Sequence, residues 1–438
     1  MVMNWTSIAG IKDPRHDGKE VELRGWIYRI RSSKKMVFIV LRDSTGIIQC
    51  VASIPDIGRD TFEKAKDLSV ESSLIIKGTV HGDERAPGGY EIHITGIDIV
   101  SPAERFPITK DQSEEFLRDN RHLWIRSRRM NSILKIRSTV TGAIHEFFRE
   151  RGYHEFTPPI FTPNQVEGGS TLFEVKYYDR ILYLTQTWQL YAEAAVFSLE
   201  KIYDVSPTFR AEKSKTSRHL SEFWMAEMEA AWMDYRDVIR IAEEEVKFII
   251  SSVLRYNRED LELLGSDIEG LESIISREWP VITYTEALDI LKDKSGMDID
   301  WGKDLRTIEE ERLMEHFDTP VTVIQYPKEA MAFYKPLEEE ADAPGPVAKC
   351  FDMLAPKGYG EIIGGSERDT SVESLTKSLI AEGEKPEYYD WYLDLRRYGS
   401  VPHSGYGLGV ERLISWICGL DNIKDAIPFP RTLKRVTP

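Results

Sequence analysis

The sequence predicts an α+β protein in which a small β-barrel precedes a larger domain built from sheet and helices. Two observations support this class. The first hundred residues contain short strand patterns separated by turn signals, and the rest of the chain alternates extended segments with long amphipathic helical patterns. Because 438 residues are more than one ordinary domain needs, we expect two or three domains.

The N-terminal region has five strand patterns, predicted at residues 21–28, 36–42, 46–52, 73–80 and 90–100. Between the third and the fourth, the pattern changes to a helical period, with Phe62, Ala65 and Leu68 on one side. Five strands with a helix after the third predict an OB-fold. Barrels of this type commonly bind single-stranded nucleic acid through aromatic side chains beside a basic groove.

Charge is distributed unevenly along the chain. The net charge of −16 argues against a general nucleic-acid binder, but whole-chain charge describes solubility rather than any one face. Between residues 24 and 42 there are four cations and no acid: Arg29, Arg31, Lys34 and Lys35. An acidic protein with one such patch can bind RNA there.

The three cysteines, Cys50, Cys350 and Cys418, are widely spaced. No CxxC pair is present and no histidine stands at zinc-ligand spacing, so we do not expect structural zinc. Sparse cysteines in apolar surroundings are typical of reduced thiols in the cytoplasm. The sequence has no apolar run approaching the ~18 residues that span a bilayer and no signal-peptide pattern, so a cytoplasmic protein is expected.

A linker is predicted after the barrel, where Pro102 and Pro107 end the strand pattern. A helix is predicted at 131–151, with Gly152 as its stop, followed by a strand at 153–156 that ends before Pro158. The helix has apolar residues at three- and four-residue spacing: Ile133, Ile136, Val140, Ile144 and Phe147. The expected domains are therefore a barrel at 1–103, a hinge at 104–130 and a larger domain at 131–438.

The most informative stretch begins Phe209-Arg210-Ala211-Glu212 and continues after a charged loop, 213–218, to residue 231. It predicts two extended segments joined by a basic loop. In the second segment Glu227 and Glu229 alternate with apolar residues, so one face of the strand carries carboxylates.

This stretch also carries groups that suit a nucleotide. Arg210, Arg218 and His219 supply donors for phosphate oxygens, and Phe223 offers a flat face for a base. By itself the tetrapeptide could equally belong to a solvated surface hairpin, so its meaning depends on the rest of the chain.

Two further motifs lie downstream. Asp352 and Glu361 bracket a glycine-rich turn, and hard carboxylate oxygens near a triphosphate suit Mg²⁺. Residues 405–412 read Gly-Tyr-Gly-Leu-Gly-Val-Glu-Arg and lead into an apolar helix. A charge at Arg412, at the start of a buried helix, needs a partner.

Together the stretches at 209–231 and 405–412 resemble motifs 2 and 3 of the class II aminoacyl-tRNA synthetases, in the subgroup of the aspartyl, asparaginyl and lysyl enzymes. The helix, strand and proline at 131–159 resemble motif 1, the dimer interface of that class. The resemblance covers nearly the whole chain, least convincingly at 257–345. It implies an antiparallel catalytic sheet flanked by helices, and a homodimer.

The resemblance implies a role for each matching residue. Arg210 would bridge the α-phosphate of ATP and the carboxylate of the amino acid, while Glu212 would contact adenine or its ribose. Arg218 and His219 would hold the γ-phosphate. Activation then needs positioning and charge neutralisation rather than proton transfer.

The remaining nucleotide contacts follow in the same way. Phe223 and Arg412 would enclose adenine, and Asp352 and Glu361 would carry Mg²⁺. The acyl group would then pass to the 3′-hydroxyl of a tRNA, so ATP, an amino acid and tRNA are the expected substrates, with AMP and pyrophosphate as products.

Asparagine is the expected amino acid. Aspartyl members have a lysine three positions after the glutamine that matches Gln189, where this chain has Ala192. Glu227 could accept a hydrogen bond from the substrate amide and Arg368 could donate one to the amide oxygen. The resemblance also places Glu167, in a glycine-containing lid loop, and Gln189 near the substrate ammonium group.

The resemblance assigns anticodon recognition to the barrel. Phe38 would stack on the middle base of the anticodon of tRNA(Asn), Gln49 would hydrogen-bond that base, and Arg29 of the basic run belongs to the same surface. From the residues alone, Phe38 could also be an ordinary core aromatic.

Three other readings stay open. One is an aspartyl enzyme, including one that charges two tRNAs; Ala192 and Glu227 argue against it. Another is a paralogue that makes asparagine without tRNA, against which the intact barrel argues. The third is a non-catalytic RNA-binding protein, against which the complete set of nucleotide-binding residues argues.

Overall fold

The protein is described by a computed structural model that covers residues 5–11, 13–86, 88–166, 172–213 and 218–438. The chain divides into two units, Met1–Arg118 and Asp119–Pro438. Within the residues covered, no helix is both long enough and apolar enough to cross a membrane.

The first unit is a closed five-stranded barrel. Its strands are β1 (Glu20–Ser32), β2 (Met36–Arg42), β3 (Ile47–Ser53), β4 (Ser73–Gly82) and β5 (Tyr90–Ser101). They close in the order β1-β2-β3-β5-β4, and β3 and β5 are the only parallel pair. Short helices are α1 (Ile8–Ile11), α2 (Ile54–Ile57) and α3 (Arg59–Lys66).

The barrel interior is formed by alternate residues of each strand. Val37, Ile39 and Leu41 of β2 are fully buried, whereas the residues between them are partly exposed. The predicted OB-fold, with a helix after the third strand, is confirmed. Strand β1 is longer than predicted and runs to Ser32, because the basic run that follows Tyr28 continues to pair with β2.

The described residues of the second unit contain thirteen strands. They are β6 (His154–Glu155), β7 (Phe161–Thr162), β8 (Glu174–Tyr177), β9 (Arg180–Leu184), β10 (Lys201–Phe209), β11 (Glu222–Ala231), β12 (Val281–Thr283), β13 (Val321–Ile324), β14 (Leu337–Glu338), β15 (Val347–Ala348), β16 (Cys350–Ala355), β17 (Gly360–Glu367) and β18 (His403–Gly409). Eight of them form one sheet in the order β12-β13-β16-β17-β18-β11-β10-β6.

Helices cover this sheet. Those of the second unit, together with α4 at its start, are α4 (Glu114–Asp119), α5 (Arg121–Trp124), α6 (Arg128–Glu150), α7 (Gln189–Leu199), α8 (Tyr235–Tyr256), α9 (Arg258–Leu264), α10 (Ile268–Ile275), α11 (Tyr284–Ser295), α12 (Thr307–Met314), α13 (Val372–Ala381), α14 (Asp390–Arg397) and α15 (Val410–Cys418). Helix α8 packs on β16, β17 and β18, while α7 and α15 pack on β11.

The predicted antiparallel sheet flanked by helices is confirmed. Its centre, from β13 to β10, is antiparallel throughout, and only the outer pairs β12–β13 and β10–β6 are parallel. A continuous antiparallel centre places β11, β17 and β18 side by side. Side chains from distant parts of the sequence therefore share one face of the sheet.

Helix α6 begins three residues before its predicted start. The hydroxyl of Ser127 accepts a hydrogen bond from the backbone amide of Met130 at 3.2 Å and caps the helix. All five of its predicted apolar residues are buried. The spacing of the apolar residues therefore predicted the helix, but the first turn of the helix lies before that spacing begins.

Candidate active site

Strands β10 and β11 form the predicted hairpin, with Asp204 opposite Glu227. The first strand ends at Phe209, so Arg210 and Glu212 follow it outside the ladder. Residues 214–217 of the predicted basic loop lie outside the described part of the chain. On its other edge β11 pairs with β18, which brings the two motifs of the sequence next to each other.

One pocket brings together all the residues predicted to bind the nucleotide. It is lined by Arg210, Glu212, Arg218, His219, Phe223, Glu361 and Arg412, among others. These residues come from the hairpin, from β17 and from the first turn of α15. The pocket is therefore created by the sheet order and not by any one segment.

Arg210 is available to bind an anion in this pocket. Its guanidinium carbon is 5.7 Å from the centre of the Phe223 ring. Its Nε is buried and has no hydrogen-bond partner among the residues described. Leaving a buried donor unpaired costs about 1–3 kcal/mol, so the arrangement favours a ligand with an acceptor oxygen.

Four other groups in the pocket are paired with one another. Arg412 donates to the Glu361 carboxylate at 3.0 Å, and His219 Nε2 lies 3.4 Å from the Glu212 carboxylate. Burial, assisted by nearby arginines, lowers the pKa of His219, so the ring is neutral at pH 7. A neutral imidazole can still donate one hydrogen bond to a phosphate oxygen.

Arg218 lies at the edge of the pocket and is held by acceptors. It donates to Glu311 of α12 at 2.5 Å and to the backbone carbonyl of Gly358. A phosphate that binds Arg218 would have to compete with these partners. Sequence analysis did not identify Glu311, because the run Thr-Ile-Glu-Glu-Glu-Arg resembles the solvated face of a helix.

The predicted metal ligands Asp352 and Glu361 converge. They lie on neighbouring strands, and an irregularity in the β16–β17 register falls between Met353 and Leu354. A β-carbon at Gly364 would lie 2.9 Å from Oε1 of Glu361 and 3.4 Å from Oδ1 of Asp352, so both carboxylates face the same small space. Burial and the neighbouring Glu361 raise the pKa of Asp352 well above its usual value.

A third carboxylate that sequence analysis missed is Glu310 of α12. Burial, reinforced by Glu361, raises its pKa to about 7. The described residues hold no cluster of three or more histidine, cysteine, aspartate or glutamate side chains with metal-binding geometry.

Opposite Gly407, which lines this pocket, Glu227 is buried and held by the turn before α7. The Thr187 hydroxyl and the Trp188 amide donate to its two oxygens, the latter at 3.1 Å. Burial raises the pKa of Glu227 to about 7, although these hydrogen bonds oppose the shift. Its charge is thus poised to change near neutral pH.

Arg368 has a partner that sequence analysis did not assign. Its Nε and Nη2 donate to Glu229 at 3.0 and 2.8 Å, and its Nη1 donates to Ser366 at 2.7 Å. Glu229 stands opposite Gly405, where a β-carbon would collide with the carboxylate. The alternating glycines of β18 therefore make room for the acidic face of β11.

Of the other residues predicted to bind the amino acid, Gln189 begins α7 and donates from Nε2 to Glu193 at 3.0 Å. Ala192, which stands where aspartyl enzymes have lysine, is fully buried. Glu167 and the rest of its loop, 167–171, lie outside the described residues.

In the barrel, strand register groups the residues predicted to read the anticodon. Arg29 is opposite Val40 and Arg31 opposite Phe38, while Gln49 is also opposite Val40, so these side chains share the outer face of β1–β3. Phe38 is only partly buried, and the Arg31 guanidinium lies 4.5 Å from its ring centre. It is therefore not a core residue.

Gln49 and Arg29 have different neighbours on this face. Gln49 donates to the carboxylate of Glu91 at 2.9 Å, and the guanidinium of Arg29 lies 5.3 Å from the ring of Tyr28. A partly exposed aromatic ring among arginines, with an amide beside it, is the composition expected of a surface that stacks and reads unpaired bases.

The OB-fold, the antiparallel sheet and this pocket together place the chain among the class II tRNA synthetases. Residues 113–433 match the family model for tRNA synthetases class II (D, K and N), and residues 21–100 match the OB-fold nucleic acid binding domain. Within that class, the chain belongs to the asparagine–tRNA ligase family.

The similarity extends over essentially whole chains. The asparagine–tRNA ligase of Thermococcus kodakarensis is 48% identical over 426 residues, which are 97% of each chain. The crystal structure of asparaginyl-tRNA synthetase from Pyrococcus horikoshii complexed with asparaginyl-adenylate has a TM-score of 0.95, at 46% identity and full coverage of both chains. An aspartyl-tRNA synthetase from Entamoeba histolytica has a TM-score of 0.86 at 26% identity, covering 99% of this chain and 93% of that one.

Proposed function

We propose that this protein ligates asparagine to its cognate tRNA through an asparaginyl-adenylate, consuming ATP and releasing AMP and pyrophosphate. The observation that carries the proposal is the pocket that joins Arg210, Phe223, Glu361 and Arg412, with the buried Glu227 opposite the pocket-lining Gly407. Full-length similarity to asparagine–tRNA ligases supports the same reaction.

In the first step, a carboxylate oxygen of asparagine attacks the α-phosphorus of ATP and the bond to pyrophosphate breaks. Arg210 neutralises the α-phosphate and positions the attacking carboxylate, and its buried Nε, which has no partner among the described residues, supports that role. Phe223 and Arg412 hold adenine, and Glu212 contacts the nucleoside. Arg218 and His219 bind the γ-phosphate.

Asp352 and Glu361 are the residues we propose for Mg²⁺. Two converging carboxylates suit an ion that keeps several waters and binds phosphate oxygens. When bound, the ion would neutralise charge on the phosphates. The neighbouring Arg412 would keep Glu361 oriented toward it.

Specificity for asparagine is assigned to Glu227 and Arg368. Glu227 accepts a hydrogen bond from the side-chain amide and Arg368 donates to the amide oxygen, while Gln189 and Glu167 bind the ammonium group. Aspartate would meet the Glu227 carboxylate with like charge, and Ala192 offers it no cation. Sites with paired polar groups of this kind can discriminate by roughly 10⁴-fold or more.

The proposed division of labour is anticodon binding by residues 1–103, a hinge at 104–130 and catalysis by 131–438. Phe38, Gln49 and Arg29 would contact the anticodon of tRNA(Asn). A homodimer is proposed from the likeness of α6 and β6 to motif 1, and light scattering of the purified protein would test it. Three buried, unpaired cysteines support a cytoplasmic location.

The decisive experiment is ATP–pyrophosphate exchange with each of the twenty amino acids, first without tRNA and then with it. Exchange with asparagine alone is the expected result. Exchange with aspartate would support the same chemistry. It would also mean that the protein has the specificity of the aspartyl enzymes, which include enzymes that charge two tRNAs. Absence of exchange under both conditions would favour an RNA-binding protein that retains the fold.

A further inference from the structure

Glu193 is a buried carboxylate beside the proposed asparagine site. It lies on α7 one turn after Gln189 and is fully buried, while Gln189 is 6% exposed. The two side chains are joined by the hydrogen bond from Gln189 Nε2 to Glu193 Oε1 at 3.0 Å. Glu193 is therefore a candidate for influencing how the amino acid is bound, because it contacts Gln189, which is proposed to bind the substrate ammonium group.

Three further groups contact the Glu193 carboxylate. The Tyr392 hydroxyl lies 2.9 Å from both carboxylate oxygens, His403 Nε2 lies 3.0 Å from Oε2, and Arg396 forms a buried ion pair with it. Burial opposes ionisation, but Arg396 and His403 outweigh it and lower the pKa of Glu193. The carboxylate is therefore an ionised acceptor fixed from several sides.

An ionised carboxylate cannot donate, and this fixes the amide of Gln189. Only the NH₂ end of that amide can face Glu193, so its oxygen Oε1 must point the other way. Among the residues described, no donor is bonded to Oε1, which leaves it as an acceptor for a cationic group. The backbone of Gln189 is held as well, since its amide donates to the Thr187 hydroxyl at 3.2 Å.

The same short turn therefore connects two buried carboxylates. Thr187 and Trp188 bind Glu227, and Gln189 binds Glu193. Because Glu227 is the residue proposed for the substrate side chain, the geometry of this turn sets the distance between side-chain and ammonium recognition. A shift of Glu193 would disturb recognition of the ammonium group without removing recognition of the side chain.

We propose that Glu193 is a positioning residue for amino-acid recognition, which holds the Gln189 amide so that its oxygen accepts a hydrogen bond from the substrate α-ammonium group. The inference rests on the proposed function, since it takes asparagine as the substrate. Glu193 itself does not contact asparagine in this proposal. A change at Glu193 should therefore affect only ligands that carry the ammonium group.

Glu193→Gln tests this directly, because a glutamine can donate or accept and no longer fixes the orientation of Gln189. We would measure KM for asparagine by pyrophosphate exchange, and Ki for succinamate, which is asparagine without its α-amino group. The expected result is a rise in KM of about 10–100-fold, the loss of one hydrogen bond to a charged group. The Ki for succinamate should change less than about twofold.

Two further variants keep the test decisive. Glu193→Asp retains the charge opposite Arg396 but withdraws the carboxylate from Gln189, so it should show the same selective loss even if Glu193→Gln fails to fold. Tyr392→Phe removes a different hydrogen bond from the same carboxylate and should leave the ratio of the two constants unchanged.

Equal weakening of asparagine and succinamate in the Glu193 variants would overturn the proposal and make Glu193 a structural residue only. Unchanged binding of both would overturn it too. Failure of the wild-type protein to activate asparagine would instead refute the proposed function, so the two failures are distinguishable.

Discussion

The guanidinium of Arg412 lies 3.0 Å from the carboxylate of Glu361, and it also donates to the backbone carbonyl of the same residue at 2.6 Å. These bonds join the start of α15 to β17. Burial favours the neutral form of Glu361, but Arg412 and Arg210 outweigh it and lower its pKa. The proposed adenine-binding arginine thus keeps a proposed metal ligand charged and oriented.

Arg210→Ala should reduce asparagine-dependent pyrophosphate exchange by at least ~10²-fold while tRNA binding stays nearly intact. The reason is that a positioned cation at the reacting phosphate is lost, which typically costs a factor of this size. Exchange kinetics and a filter-binding assay with tRNA would measure the two effects. Arg240→Ala, on an exposed part of α8, is the matched control. Similar losses in both assays would contradict the assignment of Arg210 to the phosphate.

Phe38→Ala should weaken tRNA charging by roughly 1–3 kcal/mol, expressed mainly in the KM for tRNA, because a stacking surface for one base is removed. Exchange without tRNA should be unaffected. Phe38→Tyr keeps the ring and should retain most of the affinity. Aminoacylation kinetics over a range of tRNA concentrations would check this, and an unchanged KM would refute the stacking role.

The kcat/KM for asparagine should fall about tenfold between pH 8 and pH 6. Glu227 has a pKa of about 7 in the folded protein, so lowering the pH protonates it and removes the charged acceptor that binds the substrate amide most strongly. A pH profile of exchange at saturating ATP would show the step. In Glu227→Gln the activity should be lower and this step absent; an unaltered step in that variant would place the titrating group elsewhere.

Asp352→Asn should raise the Mg²⁺ concentration needed for half-maximal exchange by about tenfold or more, since a charged oxygen ligand is lost. Titration with free Mg²⁺ at constant ATP would measure it, and chelation of Mg²⁺ should abolish exchange in both proteins. Asp300→Asn, whose side chain is 88% exposed, controls for the loss of charge. An identical Mg²⁺ requirement in all three proteins would exclude Asp352 as a ligand.

Glu245→Gln should stabilise the protein increasingly as the pH rises from about 5 to 8. Glu245 is fully buried beneath β18, its Oε1 has no hydrogen-bond partner among the described residues, and burial raises its pKa to about 8. The acid form is favoured in the folded state, so the stability it contributes is complete below pH 4.5 and is lost toward pH 8.

A glutamine can still accept from the Tyr406 hydroxyl, which lies 2.7 Å from Oε2 in the native protein. Denaturant unfolding at several pH values should therefore show a gain on the order of a few kcal/mol near pH 8 and little near pH 5. A gain that does not depend on pH would mean that Glu245 does not titrate in this range.

Most of the nucleotide pocket could be predicted from the sequence because its residues lie in short linear patterns. Arg210 and Phe223 flank one loop, Glu361 precedes a glycine run, and Arg412 begins an apolar helix. The alternation of apolar residues in β2 predicted that strand in the same way, but it did not show whether Phe38 faces the core or the surface. That distinction required the register with β1 and β3.

The acids that surround the site could not be predicted from local pattern. Glu193 lies in a helical run of ordinary composition, and its burial depends on Arg396 and His403 far downstream. Glu310 resembles a solvated helix residue until α12 packs against β17. Glu229 could be placed on the acidic face of β11, but its pairing with Arg368 depends on which strand lies beside it.

Gly364 shows how tightly the proposed cation site is enclosed. Its φ lies outside the positive range, so the backbone would accept alanine without strain, and it lies in the middle of β17 where alanine is an ordinary strand residue. A side chain at Gly364 would instead occupy the space that the carboxylates of Asp352 and Glu361 share. A selection for folding alone would therefore tolerate alanine at this position, whereas a selection for growth on the protein's activity would remove it.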